Sequence, residues 1–375
     1  MMRNRLFEWL QVDLWNKAFT DCDISRTEFH ELIQFASKQS VHGHIANVAV
    51  RNNKRVNKYV KFESLYVADI MHKENRKLDI LVAEVAKGLE KHNINYVIVK
   101  GQTTERLYPH KNVRAFGDID IYVHPDDKFR IGQVFKDEWN IELTPFSRGK
   151  HRNAEMKGVE IEVHHRLCDF KSAKHGRYWE HILLEDMKEK RYVEIGGTNV
   201  RVLSPMMKLI YTFMHLFFHL ILFGIGLRQF IDIGVIIHRY RSEIDRSELE
   251  ARLKGLGVYD AFCAVGWIII NRLGLPEDEF PFRIEEKHKK YEKRLLDEVF
   301  YRGNFGKYGR KYNTPGIMHT LETIHIMSKH TISFGGMAPR EIGMMIPRTI
   351  AYDLHLDELA QFLRRKLKIN IRDKK

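Results

Sequence analysis

Gly117-Asp118-Ile119-Asp120-Ile121-Tyr122-Val123 is the stretch on which the reading of this chain turns. Two acids one residue apart sit in a short apolar run with the alternation of a β-strand. Asp118 and Asp120 therefore point to one side, and Ile119, Ile121 and Val123 point to the other, into a core. Like charges side by side on a sheet destabilise it. A hard divalent cation such as Mg²⁺ prefers carboxylate oxygen and offsets that repulsion, so the pair points to a metal-dependent site for phosphate chemistry.

A third acid comes from Val159-Glu160-Ile161-Glu162-Val163-His164-His165. The strand period puts Glu160, Glu162 and His164 on one face, with Ile161 and Val163 toward the core. If this strand lies beside the Asp118 strand, Glu162 reaches the two aspartates. Three carboxylates around one or two Mg²⁺ ions suit in-line phosphoryl or nucleotidyl transfer, with Glu162 as a further ligand or proton acceptor. Glu160 reads as a surface acid, and His164 and His165 as hydrogen-bonded structural histidines.

Outward from these strands the period changes. Tyr96 to Lys100 is a β-branched run ending at Gly101, a strand. Gln102 to Tyr108 allows a turn of helix, and Pro125-Asp126 opens a helix carrying Phe129, Ile131, Val134 and Phe135. Two hairpins are expected, turning at Lys157-Gly158 and Gly196-Gly197. Before residue 93 the pattern is helical: Ser25-Arg26-Thr27-Glu28 has the form of a capping box, and Leu78, Leu81, Val82, Val85 and Leu89 make one apolar face. From Ser204-Pro205 onward helices return, at Asp245–Leu256, Glu285–Tyr301, Met318–Ser328 and Leu354–Leu367, with a loop at Gly335-Gly336 and Pro339. The outline is α+β: a helical N-terminal region (1–92), an α+β core (93–203) and a helical C-terminal domain (204–375).

At 375 residues the chain is long enough for such a division. Its 62 Lys and Arg against 49 Asp and Glu give +13, which favours an anionic partner, nucleotide or nucleic acid. The basic residues from Arg364 to Lys375 read as a solvated tail. Cys22, Cys168 and Cys263 are scattered and odd in number, so no disulfide framework or zinc motif is expected and a cytoplasmic location is. The N-terminus lacks the unbroken apolar stretch of a signal peptide. Leu209 to Leu227 has the length of a membrane span. It carries His215 and His219 and is expected to run unbroken into Arg228 and Asp232, an ion pair at helical spacing, so it reads as a buried helix with no membrane partner. His215 and His219 share a helix face but lack the glutamate of a zinc protease motif, and read as core histidines.

Val99-Lys100-Gly101, Tyr108-Pro109, Arg114, Asp118-Ile119-Asp120 and Ile161-Glu162-Val163-His164 together resemble the uncharacterised nucleotidyltransferase family of the DNA polymerase β-like superfamily. The resemblance continues into Leu203-Ser204-Pro205, His215 and Leu227 to Ile233. It implies a minimal nucleotidyltransferase fold, a short mixed β-sheet with flanking helices. It also implies an NMP moved from an NTP such as ATP to a hydroxyl acceptor on protein, RNA or a small molecule, with Mg²⁺ or Mn²⁺ as cofactor. By position, Asp118, Asp120 and Glu162 would be the catalytic metal ligands, and Lys100, Gly101, Gln102, Thr103 and Arg114 the nucleotide-binding residues. The superfamily's usual Gly-Ser is here Gly101-Gln102-Thr103, which removes a phosphate-binding hydroxyl or leaves it to Thr103. Lys100 and Arg114 have a plainer role open to them, balancing the acids. The alternative function is a nucleotide- or RNA-binding protein on the same fold without turnover.

Overall fold

Six strands are formed among the described residues: β1 (Tyr96–Val99), β2 (Ile119–Val123), β3 (His151–Met156), β4 (Val159–His164), β5 (Arg191–Ile195) and β6 (Thr198–Val202). The structure, a computed structural model, describes residues 2–21, 23–115, 117–145, 151–222, 224–304 and 317–345. The expected Leu354–Leu367 helix, the basic tail and Cys22 lie outside them. The first four strands form one sheet in the order β1-β2-β4-β3, and β5 and β6 form a separate hairpin. β2 is antiparallel to β1 but parallel to β4, which pairs antiparallel with β3, so the larger sheet is mixed and the fold is α+β. Both expected hairpins form. Lys157 and Gly158 (φ 52° and 73°) and Gly196 and Gly197 (φ 55° and 72°) have the paired positive φ that matches the twist of two strands.

The two faces of the mixed sheet meet different partners. Ile119, Ile121 and Val123 of β2, with Ile161 and Val163 of β4, pack against Leu78, Val82 and Val85 of the long Lys58–Lys91 helix and against Ile131 and Phe135 of the Arg130–Trp139 helix. The opposite face carries Asp120 and Tyr122 toward the helical body. There the short N-terminal helices Met2–Trp15, Arg26–Lys38 and His42–Arg51 share one apolar cluster with Pro205–Leu222, Leu227–Tyr240 and Tyr259–Asn271. Helices of 10–14 residues are marginal alone, so this shared burial is what holds them. Trp15 Nε1 donates to Leu273 O at 2.6 Å, and Gln39 Nε2 to Val299 O at 3.2 Å, tying the N-terminal helices to the helical part after residue 204.

Local capping follows the sequence. Glu28 N donates to Ser25 Oγ (3.3 Å) while Ser25 N donates to Glu28 Oε2 (3.0 Å), completing the capping box. Ser204 Oγ accepts from Met207 N, and Pro205 opens the next helix.

Four local expectations are corrected. The apolar stretch from 209 to 232 is not one helix. It stops at Leu222 and restarts at Leu227, around Gly224 (φ 107°) and the cap residue Gly226. The stretch 285–301 divides into Glu286–Lys289 and Glu292–Arg302. Gly335–Met337 and Pro339–Gly343 are short helical turns rather than loop. Pro125–Asp127 is a 3₁₀ turn, the α-helix begins at Arg130, and Phe129 is exposed. Pro205–Leu222 is long and apolar enough to cross a bilayer by length and composition, and 78% of it is buried inside the fold.

Candidate functional site

β2 and β4 lie side by side with Asp120 opposite Glu162 in register, so the two carboxylates share a sheet face. Asp118, just before β2, joins them. One oxygen from each of Asp118, Asp120 and Glu162 falls within 4.8 Å of the others. Lys100, at the end of β1, places Nζ 2.9 Å from Asp120 Oδ2. His164 Nε2 lies 2.7 Å from Asp120 Oδ1 and 3.2 Å from Glu162 Oε2. His151, opposite His164 across the β3–β4 pair, has Nε2 3.9 Å from Glu162 Oε1.

The charges are unevenly balanced. Burial alone would raise the Asp120 pKa, but Lys100 and the His164 hydrogen bond outweigh it and hold the carboxyl well below the usual range. At Glu162, too, burial is outweighed, here by the His164 hydrogen bond, and the group stays ionised. Asp118 goes the other way: the Asp120 charge beside it, and then burial, push its pKa up. Among the described residues no salt bridge reaches Asp118. The cluster therefore holds an excess of negative charge at Asp118, made of hard oxygen donors. Lys100 and His164 each use one lone-pair direction of an Asp120 oxygen and leave others open. The donor set fits a hard divalent cation.

The backbone beside the cluster is unusual. Lys100 and Gly101 both have positive φ, 59° and 49°. A long side chain rarely adopts that region, and strain of this kind collects at functional sites. A Cβ on Gly101 would come no closer than 3.8 Å to its nearest neighbour, Asp118 O, so glycine here leaves the backbone open to a ligand. A cavity runs past this turn, lined by Lys100, Gly101, Asp118, Asp120, His215 and Arg228 among others.

Of the other sequence-identified residues, Arg114 and Gln102 border the same cavity and Thr103 does not, and all three are bonded to other parts of the protein. Arg114 is buried and grips Asp232 with two hydrogen bonds, Nε to Oδ1 at 2.8 Å and Nη2 to Oδ2 at 3.0 Å. Tyr108 donates to the same Asp232 oxygen at 2.7 Å. Arg228 donates to Ala115 O at 3.0 Å, so the partner that holds Asp232 is Arg114, from outside its own helix, rather than Arg228 one turn away. Gln102 donates to Asp79 Oδ1 at 2.6 Å. Thr103 gives its hydroxyl proton to Lys100 O at 2.7 Å and receives Lys208 Nζ at 2.8 Å. Burial pushes the Lys208 amine down to about 7. His215 is half-buried and packs against His219, ring centroids 4.3 Å apart, and its desolvation lowers its pKa well below the histidine norm.

His151 and Lys208 escaped the sequence reading. The signal for His151 was the hairpin register, which sets it opposite His164. Lys208 gave no signal, since a lysine in the first turn of an apolar helix reads as solvated.

A mixed sheet that brings acids from two parallel strands to a glycine turn defines a protein with a polar, oxygen-rich site in an α+β frame. The chain belongs to the uncharacterised nucleotidyltransferase family, whose model matches residues 25–274 and so takes in the whole cluster. No curated protein matches it. Among solved structures, an antigenic nucleotidyltransferase-like protein from Paracoccidioides brasiliensis is similar to it at a TM-score of 0.33 and 17% identity, over 56% of this chain and 97% of that one.

Proposed function

We propose that the chain is a Mg²⁺- or Mn²⁺-dependent nucleotidyltransferase that moves an NMP from an NTP to an acceptor hydroxyl, with Asp118, Asp120 and Glu162 as its catalytic carboxylates. The observation that carries this is the meeting of three carboxylates from two strands beside an open, positive-φ glycine turn. Asp118, Asp120 and Glu162 would hold the cation, which when bound supplies phosphate polarisation and a more acidic attacking hydroxyl. Lys100 lines the cavity and would exchange Asp120 for a phosphate oxygen. Gly101 would let the backbone approach the triphosphate. Arg228 and the Arg114–Asp232 pair give the far wall a net positive charge, which suits the anionic substrate. Arg114 acts there as a positioning residue, because its guanidinium is committed to Asp232.

The test is transfer of label from α-labelled NTPs, with Mg²⁺ or Mn²⁺, to RNA, protein and small-molecule acceptors. Labelled product from wild type and none from Asp118→Ala is expected. No product from wild type with any acceptor would overturn the reading.

A second reading, a nucleotide- or RNA-binding protein without turnover, is favoured by the inward bonding of Thr103 and Gln102, which turns both away from a triphosphate. Calorimetry separates the two. NTP binding that requires Mg²⁺ and fails in Asp118→Asn supports catalysis. Binding indifferent to Mg²⁺ but steeply weakened by salt supports the second reading.

A further inference from the structure

We infer that His151, Glu162 and His164 form a second cation site, one selective for a borderline transition metal such as Zn²⁺, next to the all-carboxylate cluster. One ring nitrogen of each histidine and one Glu162 oxygen lie within 4.8 Å of one another. Ligand atoms around a tetrahedral zinc, each about 2.0–2.2 Å from the metal, stand about 3.4 Å apart. His164 Nε2 stands 3.2 Å from Glu162 Oε2, and His151 Nε2 stands 3.9 Å from the other oxygen, Oε1, so each histidine already faces one oxygen of the same carboxylate. From spacings of up to 4.8 Å, closing the set to zinc distances takes rotation of these side chains and no change of strand register.

The scaffold favours the arrangement. His151 and His164 are direct cross-strand partners on β3 and β4, and Glu162 sits two residues before His164 on the same face. Their rings approach edge-on, centroids 5.2 Å apart and 63° between planes. His164 is nearly buried while His151 is about one-third exposed, so the site has a closed inner side and an outer side where a fourth position meets solvent. Two nitrogens and one carboxylate with an open position is a donor set for zinc or cobalt. Three carboxylates are one for magnesium. Because Glu162 belongs to both sets and His164 also holds Asp120, filling the histidine site rearranges the hydrogen bonds of the carboxylate cluster. The protein thus has two adjacent cation sites of different chemical softness. The inference concerns metal affinity and does not depend on the transfer reaction.

The experiment is titration of the purified full-length chain with Zn²⁺ by calorimetry, and with Co²⁺ by visible absorption, in the presence of millimolar Mg²⁺. One equivalent is expected to bind, with the Co²⁺ bands of a nitrogen-containing, low-coordination site. His151→Gln, on a partly exposed edge strand, is expected to lower Zn²⁺ affinity by at least about 10–100-fold, the loss seen even when only a metal site's outer shell is disturbed. Asp118→Asn is expected to leave Zn²⁺ affinity within about threefold while removing Mn²⁺ binding at the carboxylates, followed by electron paramagnetic resonance. No Zn²⁺ binding by wild type, undiminished binding by His151→Gln, or an equal loss in Asp118→Asn would each overturn the proposal. Loss of the Mn²⁺ signal from wild type alone would count against the transferase reading and leave this one standing.

Discussion

A buried acid–base cluster at Asp232 and a half-buried one at the sheet meet at the same cavity, and they are built to opposite rules. At Asp232 one carboxylate meets the Arg114 fork and the Tyr108 hydroxyl, with Arg228 close by, so the acid is outnumbered and every oxygen is taken. At the sheet three carboxylates meet one lysine and two histidines, and Asp118 is left over. The arginine and lysine ion pairs hardly differ in length: 2.8 Å for Arg114–Asp232 and 2.9 Å for Lys100–Asp120. What differs is completeness. A satisfied buried pair gives rigidity. An incomplete cluster stores repulsion that a ligand can relieve.

The sharpest way to break this contrast is to remove one acid from each side. Asp118→Ala should lower nucleotidyl transfer by at least about a thousandfold, several kcal/mol of transition-state stabilisation, with the melting temperature unchanged or raised. Asp232→Ala should do the reverse in kind. It should cost about 3–5 kcal/mol in urea unfolding, because it strands Arg114 as an uncompensated buried charge. The double variant Asp232→Leu with Arg114→Met should recover part of that loss. If Asp118→Ala unfolds the protein and Asp232→Ala does not, the assignment of roles is wrong.

Acid titration sharpens the contrast further. In Asp232 burial would raise the pKa, but Arg114 holds it below the ordinary 3.8. An acid with a lowered folded pKa contributes stability above its unfolded value and loses it as pH falls through the folded one. The Asp232 contribution should therefore vanish only below about pH 3.8. Asp118, raised by Asp120, has the opposite sign: its repulsion weakens stability at neutral pH and disappears on protonation. Asp118→Asn should thus stabilise at pH 7, with the advantage fading on acidification. A separate loss should start earlier. Burial pushes His42 down to about 4 from 6.5, so it is neutral when folded and takes a proton when unfolded. Stability should fall as pH drops from 6.5 toward 4, and His42→Gln should flatten that part of a Tm-against-pH curve.

The smallest effect calibrates the others. Ser25→Ala, distant from both clusters, should cost about 1 kcal/mol through loss of the capping box and leave transfer and metal binding alone. A change in either would mean that the N-terminal helices reach the site through the shared core.

Much of the sheet was legible because its signals are local. The alternation at Asp118–Val123 and Val159–His164, the two-residue turns at Lys157-Gly158 and Gly196-Gly197, and the caps at Ser25 and Ser204 each act within a few residues. Helix continuity was less legible. Hydrophobicity carries 209–232 smoothly across Gly224, yet a positive φ of 107° there breaks the helix in two. That break sets Arg228 and Asp232 at the start of a new helix, where Asp232 meets Arg114, 118 residues away in sequence.

By itself the sequence determined which side chains share a face: Asp118 with Asp120, Glu162 with His164, Ile119 with Ile121. The pleat of a strand enforces that with no help from the rest of the chain. Only the tertiary structure decided that β2 and β4 are parallel neighbours, that His151 stands across from His164, and that Arg114 is spent on Asp232 rather than offered to the cavity. Strand order and ion-pair choice are set by burial among segments far apart in the chain. A carboxylate cannot choose its cation until packing has brought the candidates within a few ångströms and removed the water between them.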